Sequence, residues 1–189
     1  MSNIVDPLVE RIGARVRAER DRRRWTLSEL AQESGVSRAM IHRIERGESS
    51  PSAVVLGKLS AALRLSIATL LDPEEVPDRV HRADAAPRWH DPETGYVRRQ
   101  LSGPGFPAEV AEIRLPAGAH VPYPAAAFAF HRQIIWVVDG RLTFHEGATV
   151  HELAAGDTVE LGPPQPCAFA NETEQECRYA VVLVRGDAP

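Results

Sequence analysis

Cysteine is nearly absent from this chain. Cys167 and Cys177 are the only two in 189 residues, and they do not form a Cys-x-x-Cys pair. A disulfide-stapled secreted fold is excluded. No apolar run approaches the ~18 residues that a membrane span needs. Met1 to Arg11 carries acidic residues and no apolar segment of the kind that opens a secretory signal. The expectation is therefore a cytoplasmic protein with no membrane partner. Lysine is reduced to Lys58 beside 21 arginines, a bias that hints at a GC-rich genome. With 43% hydrophobic and 25% charged residues, the remaining composition is that of an ordinary globular protein.

Charge is unevenly placed. Residues 1–72 hold 12 basic against 9 acidic side chains, and residues 73–189 hold 10 against 17. The first part has 2 of the 15 prolines and 1 of the 11 aromatics. This division predicts a compact helical unit over 1–72, a linker over 73–94 beginning at Asp72-Pro73, and a strand-and-turn unit over 95–189. A basic unit joined to an acidic one suggests that the first meets a polyanion.

In the helical part, Leu8, Ile12 and Val16 recur every fourth residue and mark a first amphipathic helix. Thr26 stands three residues before Glu29, the spacing of a capping box, and Leu27, Leu30 and Ala31 follow before Gly35. Ser37 can cap a third helix with Met40, Ile41 and Ile44, ending at Gly47. Two short helices about a glycine turn make a helix-turn-helix.

The run TLSELAQESGVSRAMIHRIERGESSPSAVVLGKLSAAL closely resembles the phage-repressor-like (XRE family) transcription regulators over about residues 8–71. The resemblance implies an all-α five-helix domain that binds double-stranded operator DNA. With Val36, Ile41 and Ile44 facing inward, the third helix offers Ser37, Arg38, Ala39, His42 and Arg43 as base-reading candidates in a major groove. Thr26, Ser28, Arg46, Ser49 and Ser50 stand where similar domains grip phosphate. Arg20 and Glu45 occupy the family's structural ion-pair positions, while Arg22-Arg23-Arg24 reads as a solvated helix end.

Beyond the linker, apolar runs at Val110–Leu115, Gln133–Val138, Leu142–His145, Thr158–Leu161, Cys167–Ala170 and Arg178–Arg185 alternate with turn signals. Such spacing points to an all-β barrel or roll. The segments LPAGA, QIIWVVDGRLTFHEG and HELAAGDTVELGPPQPCAFANET resemble the cupin (double-stranded β-helix) barrel over roughly residues 96–186. Placed on that family's motifs, Gln133 replaces the glutamate ligand, Ala127 and Ala129 fall near the His-x-His, and Cys167 stands at the third histidine. This set does not hold iron, manganese or zinc, so the expectation is no metal, no cofactor and no catalytic residue. His120 and His131 with Cys167 are the residues left to rebuild a site.

Alternation of period two instead predicts a small-molecule effector pocket. Gln133, Ile135, Phe144, Cys167 and Phe169 would line it, and Tyr123, Phe128 and Phe130 would form its rim. A barrel packed solid is the competing reading. Ile134, Trp136 and Val138 lie on the opposite face and suit a homodimer contact, which would present two heads to a pseudo-palindromic operator. The leading expectation is an effector-responsive transcription regulator. Its rivals are a metal-dependent cupin enzyme fused to a DNA-binding domain, and a regulator that senses oxidants through its cysteines.

Overall fold

The computed structural model describes residues 7–71, 80, 82, 83, 86, 88–103 and 106–185. The expected helix stop at Asp72-Pro73 and the prolines at 77, 87 and 104 fall outside these.

Five helices form first: α1 (Pro7–Arg22), α2 (Leu27–Ser34), α3 (Arg38–Glu45), α4 (Ala53–Leu63) and α5 (Ile67–Leu71). Local chemistry sets their ends. The Thr26 hydroxyl accepts from the Glu29 amide while the Glu29 carboxylate accepts from the Thr26 amide, closing the capping box of α2. Gly35 then takes a left-handed φ of 65°, which turns the chain into Ser37, the cap of α3. Leu8, Ile12, Val16, Leu30, Ile41, Ile44, Leu56, Leu59 and Leu63 are buried together between the helices.

Charge holds this bundle at two places. Arg20 donates to both oxygens of Glu45, from Nε at 2.7 Å and from Nη2 at 2.9 Å, which ties α1 to the end of α3. Arg23 grips the buried Glu19 carboxylate at 2.9 Å and donates onward to the Leu63 carbonyl at the end of α4. Arg23 is thus a strut from α1 to α4, not the solvated helix end that its place in an arginine run suggests. A guanidinium at a helix C-terminus also meets unpaired carbonyls and the negative end of the helix dipole.

The second part is built from ten strands among the described residues. One antiparallel sheet runs β1 (Arg88–His90), β2 (Val97–Gln100), β3 (Ala108–Leu115), β10 (Cys177–Arg185), β5 (His131–Asp139), β8 (Thr158–Glu160). The other runs β4 (His120–Tyr123), β9 (Cys167–Ala170), β6 (Arg141–Glu146), β7 (Thr149–Ala154). The two enclose Ile135, Val137, Leu142, Phe144, Phe169 and Val181, and this is the all-β, two-sheet barrel that the strand spacing predicts. Strand β1 lies within residues 73–94, the segment read from sequence as linker. Trp89 is buried there against Tyr96, with ring centroids 5.5 Å apart. The sequence signal was weak because β1 and β2 carry alternating charge instead of an apolar run.

The helices and the barrel share one continuous apolar core. Helix α4 lies against β4 and the 3₁₀ turn Ala125–Phe128. Its first amide, at Ala53, donates to Oδ1 of the buried Asp91 at 3.0 Å, so the β1–β2 turn caps a helix of the other unit. Replacing Arg20 by Met leaves the Glu45 carboxylate largely buried without its partner. The expected cost is about 3 kcal/mol, read as a lower urea midpoint at unchanged slope.

Candidate functional site

Two surfaces carry candidate residues. On α3, Ser37, Arg38, Ala39, His42 and Arg43 are all exposed, while Ile41 and Ile44 point into the core. The helix therefore shows solvent a face with two guanidinium groups and an imidazole. Beside it, Ser28 is exposed and Ser49 and Ser50 are half-buried in the loop after α3. The Thr26 hydroxyl donates to Glu29 at 2.8 Å, and Arg46 pairs with Glu48 at 2.6 Å, so each already has an intramolecular partner. Ser37 Oγ accepts from the Met40 amide, which leaves its hydrogen available.

The second site is a cavity of about 60 Å³ at the mouth of the barrel. Its floor and walls come from β2, β3, β4, β5, β9, β10 and the 3₁₀ turn, and its roof from Ser60 of α4 and Ile67 of α5. A second space of about 190 Å³ adjoins it, sharing His131 and Leu183 and reaching Arg64 and Phe130. The Arg64 guanidinium stacks 5.4 Å from the Phe130 ring centre at this outer space.

The polar groups of the inner cavity are Arg98, Tyr96, Tyr123, Tyr179, Gln133, His131 and Ser60. Burial pushes all three tyrosine hydroxyls above their ordinary pKa, so they stay neutral and can donate. Burial also holds His131 below its usual value, against the opposing pull of Glu109, so its ring is uncharged at neutral pH. The Tyr96 hydroxyl neighbours both Tyr123 and the Arg98 guanidinium.

A family model for the helix-turn-helix matches residues 16–70. The regulator SutR of Escherichia coli K12 is 33% identical over 166 residues, which cover 85% of this chain and 86% of that protein. This chain belongs to the XRE-type helix-turn-helix transcriptional regulators. SinR of Bacillus subtilis is 42% identical over 62 residues, within 32% of the chain and 56% of that regulator. A crystal structure of a helix-turn-helix family regulator from Vibrio cholerae superimposes with a TM-score of 0.77 at 24% identity, covering 95% of this chain and 98% of that one. That likeness extends the shared fold through the barrel.

Of the pocket residues expected from sequence, Tyr123, Phe128, Gln133 and Phe169 line the regulator's inner cavity. The other four do not. Along the inner face of β5 the cavity ends at Gln133, and Ile135 beyond it is wholly enclosed. Phe144 fills the same interior, 5.0 Å from Phe169 between ring centres. Cys167 is buried with its thiol donating to the Gln165 carbonyl, and Phe130 sits outside, 42% exposed, on the adjoining space. The barrel is thus filled at Ile135 and Phe144, and its inner cavity lies where the helices cover it.

Sequence reasoning missed Tyr96, Arg98, Tyr179 and His131 as lining residues, together with Ser60 and Ile67. Arg98 and Tyr96 lacked any motif, and a roof drawn from the DNA-binding half had no local signal. One sign was readable in the helical half: Gly57 interrupts an otherwise apolar helix, where glycine costs about 1 kcal/mol relative to alanine. A methyl added there would stand 2.4 Å from Cδ1 of Tyr123. His120, His131 and Cys167 are not gathered into one place. His120 faces His145 with centroids 6.2 Å apart, and among the described residues no three His, Cys, Asp or Glu side chains converge.

Both thiols are buried, and their pKa values are pushed up to about 11, first by desolvation and then by nearby carboxylates. Thiolates are the reactive species. At pH 8 the folded protein should therefore release well under one equivalent of thionitrobenzoate from Ellman's reagent within minutes, and two after denaturation. Gly57→Ala should lose about 1–3 kcal/mol through overpacking against Tyr123. Thermal melting of the full chain checks this, with the expected drop absent if α4 does not rest on the ring.

Proposed function

We propose that this regulator binds a pseudo-palindromic operator as a homodimer in the cytoplasm and that a small molecule in the barrel-mouth cavity alters its grip on DNA. The cavity carries this reading, because its roof is part of the DNA-binding half. A ligand that changes the seating of Ser60 and Ile67 changes the position of α4 and α5. Where DNA also distinguishes the two seatings, ligand and DNA change each other's affinity by the same factor. We assign the protein no catalytic residue, metal or cofactor; Gln133, Ala127 and Ala129 supply no ligand set of the usual cupin kind.

In this reading Arg38 and Arg43 read guanine edges, Ala39 meets a thymine methyl, and His42 and Ser37 donate to acceptor edges. Ser28, Ser49 and Ser50 hold phosphate, with Thr26 and Arg46 joining by exchanging their internal partners. The domain boundaries near residues 72 and 94 separate folding units that nevertheless share a core.

The dimer contact is assigned to the outer face of β5 and β10. Trp136 and Val184 are each 50% exposed there, with Ile134 paired opposite Val182 in register. An apolar sheet face of this kind is covered in a stable assembly.

Two experiments test the proposal. Using DNA selected by the full-length protein from a random pool, Arg38→Ala should lose about 10-fold or more in affinity for the selected sequence, the equivalent of ~1–3 kcal/mol. Its affinity for unrelated DNA should change far less. By sedimentation, Trp136→Arg should convert the dimer to a folded monomer. A monomeric wild-type protein would contradict the dimer.

A further inference from the structure

We propose that the effector is a small organic acid whose carboxylate is held by Arg98. The inference rests on the cavity being the effector site, and it adds the chemical class of the effector.

Arg98 projects from the inner face of β2 with only 7% of its surface exposed, and it lines the inner cavity. Its Nε is buried without a hydrogen-bond partner, and among the described residues no carboxylate lies within 4.0 Å of its guanidinium. The Nε atoms of Arg99 and Arg178 also lack a partner, but neither residue lines the cavity. Arg99, one residue on and facing outward, pairs with Glu112 at 3.1 Å, and Arg114 reaches the same carboxylate at 3.8 Å. Burying a guanidinium is costly unless an anion compensates it.

Among the described residues, the cavity wall contains no acidic side chain. Asp91 is engaged by the amides of Ala53, Glu93 and Thr94, and Glu109 belongs to the outer space, where it accepts from Thr69. What faces the interior beside Arg98 is neutral: the Tyr96 hydroxyl, which is hydrogen-bonded to Arg98 and Tyr123, the Tyr179 hydroxyl and the Gln133 carboxamide. A planar fork flanked by hydroxyl donors matches a carboxylate, which accepts two parallel N–H bonds. The rest of the wall, including Ile67, Ile113, Phe128 and Val181, is apolar, and a short branched or aromatic carbon skeleton would extend past His131 and Leu183 into the adjoining space.

The test is thermal melting of the full-length wild type, Arg98→Met and Arg98→Lys at pH 7.5. The probes are isobutyrate and benzoate, each against its neutral amide, with sodium sulfate, phosphate and chloride as controls. Native mass spectrometry of the gently purified protein runs in parallel. The expected result is a saturable rise in wild-type melting temperature with at least one carboxylate, and an amide and inorganic ions at least 10-fold weaker. Arg98→Met should melt no lower than wild type without ligand, since the unpaired charge is gone, and should lose at least 10-fold in carboxylate affinity. Arg98→Lys should keep part of the response.

The assignment is overturned if Arg98→Met responds as wild type does or melts markedly lower without ligand. It is equally overturned if amides or sulfate match the carboxylates, or if no probe moves the wild type. A neutral organic molecule carried through purification would overturn it while leaving the effector reading intact. No carried molecule and no response to any probe would sink both.

Discussion

How near the two halves of this protein can lie is set by one close approach, the backbone of α4 at Gly57 on the ring of Tyr123. Any side chain at residue 57 would meet that ring at 2.4 Å. With glycine there, α4 settles onto the barrel mouth, its first amide reaches Asp91, and Ser60 becomes part of the cavity roof. From α4 the contacts run on without a gap. Arg23 fastens the end of α4 to α1, and Arg20 fastens α1 to Glu45 at the end of α3. Gly13 of α1 packs so tightly on α3 that an added methyl would stand 2.2 Å from the Ile44 carbonyl oxygen. Well-packed contacts of this kind transmit displacement, because interiors at crystal-like density do not absorb it.

The treatment of buried charge divides the molecule in the same way. Three arginines that serve the fold are paired with carboxylates: Arg20 with Glu45, Arg23 with Glu19, Arg99 with Glu112. Arg98, at the cavity, lacks such a partner among the described residues. The tyrosines around it are neutral hydroxyl donors, and the cysteines are buried thiols at about pKa 11, poor nucleophiles at neutral pH. The barrel interior is therefore suited to binding and unsuited to thiol chemistry.

The helical half was legible in the sequence because its signals are local. The Thr26–Glu29 capping box, Gly35 and the spacing of Ile41 and Ile44 each fix structure within a few residues. Six strands were legible as apolar runs, but β1, β2, β4 and β7 were not, since their burial alternates or depends on long-range pairing. The pocket was half legible. Alternation correctly turned Gln133 and Phe169 inward, yet could not say how deep along the barrel the open space lies. That depends on how Ile135 and Phe144 fill the interior, and on a roof that comes from residues more than fifty positions away.

The most direct test of the coupling is the DNA affinity of a variant altered only at the barrel side of the contact. Anisotropy titration of a selected operator with wild type and Tyr123→Ala, at matched oligomeric state, measures it. The structure predicts at least a fivefold change in Kd with α1–α5 still folded by circular dichroism. An unchanged Kd would show that DNA binding does not feel the barrel through α4.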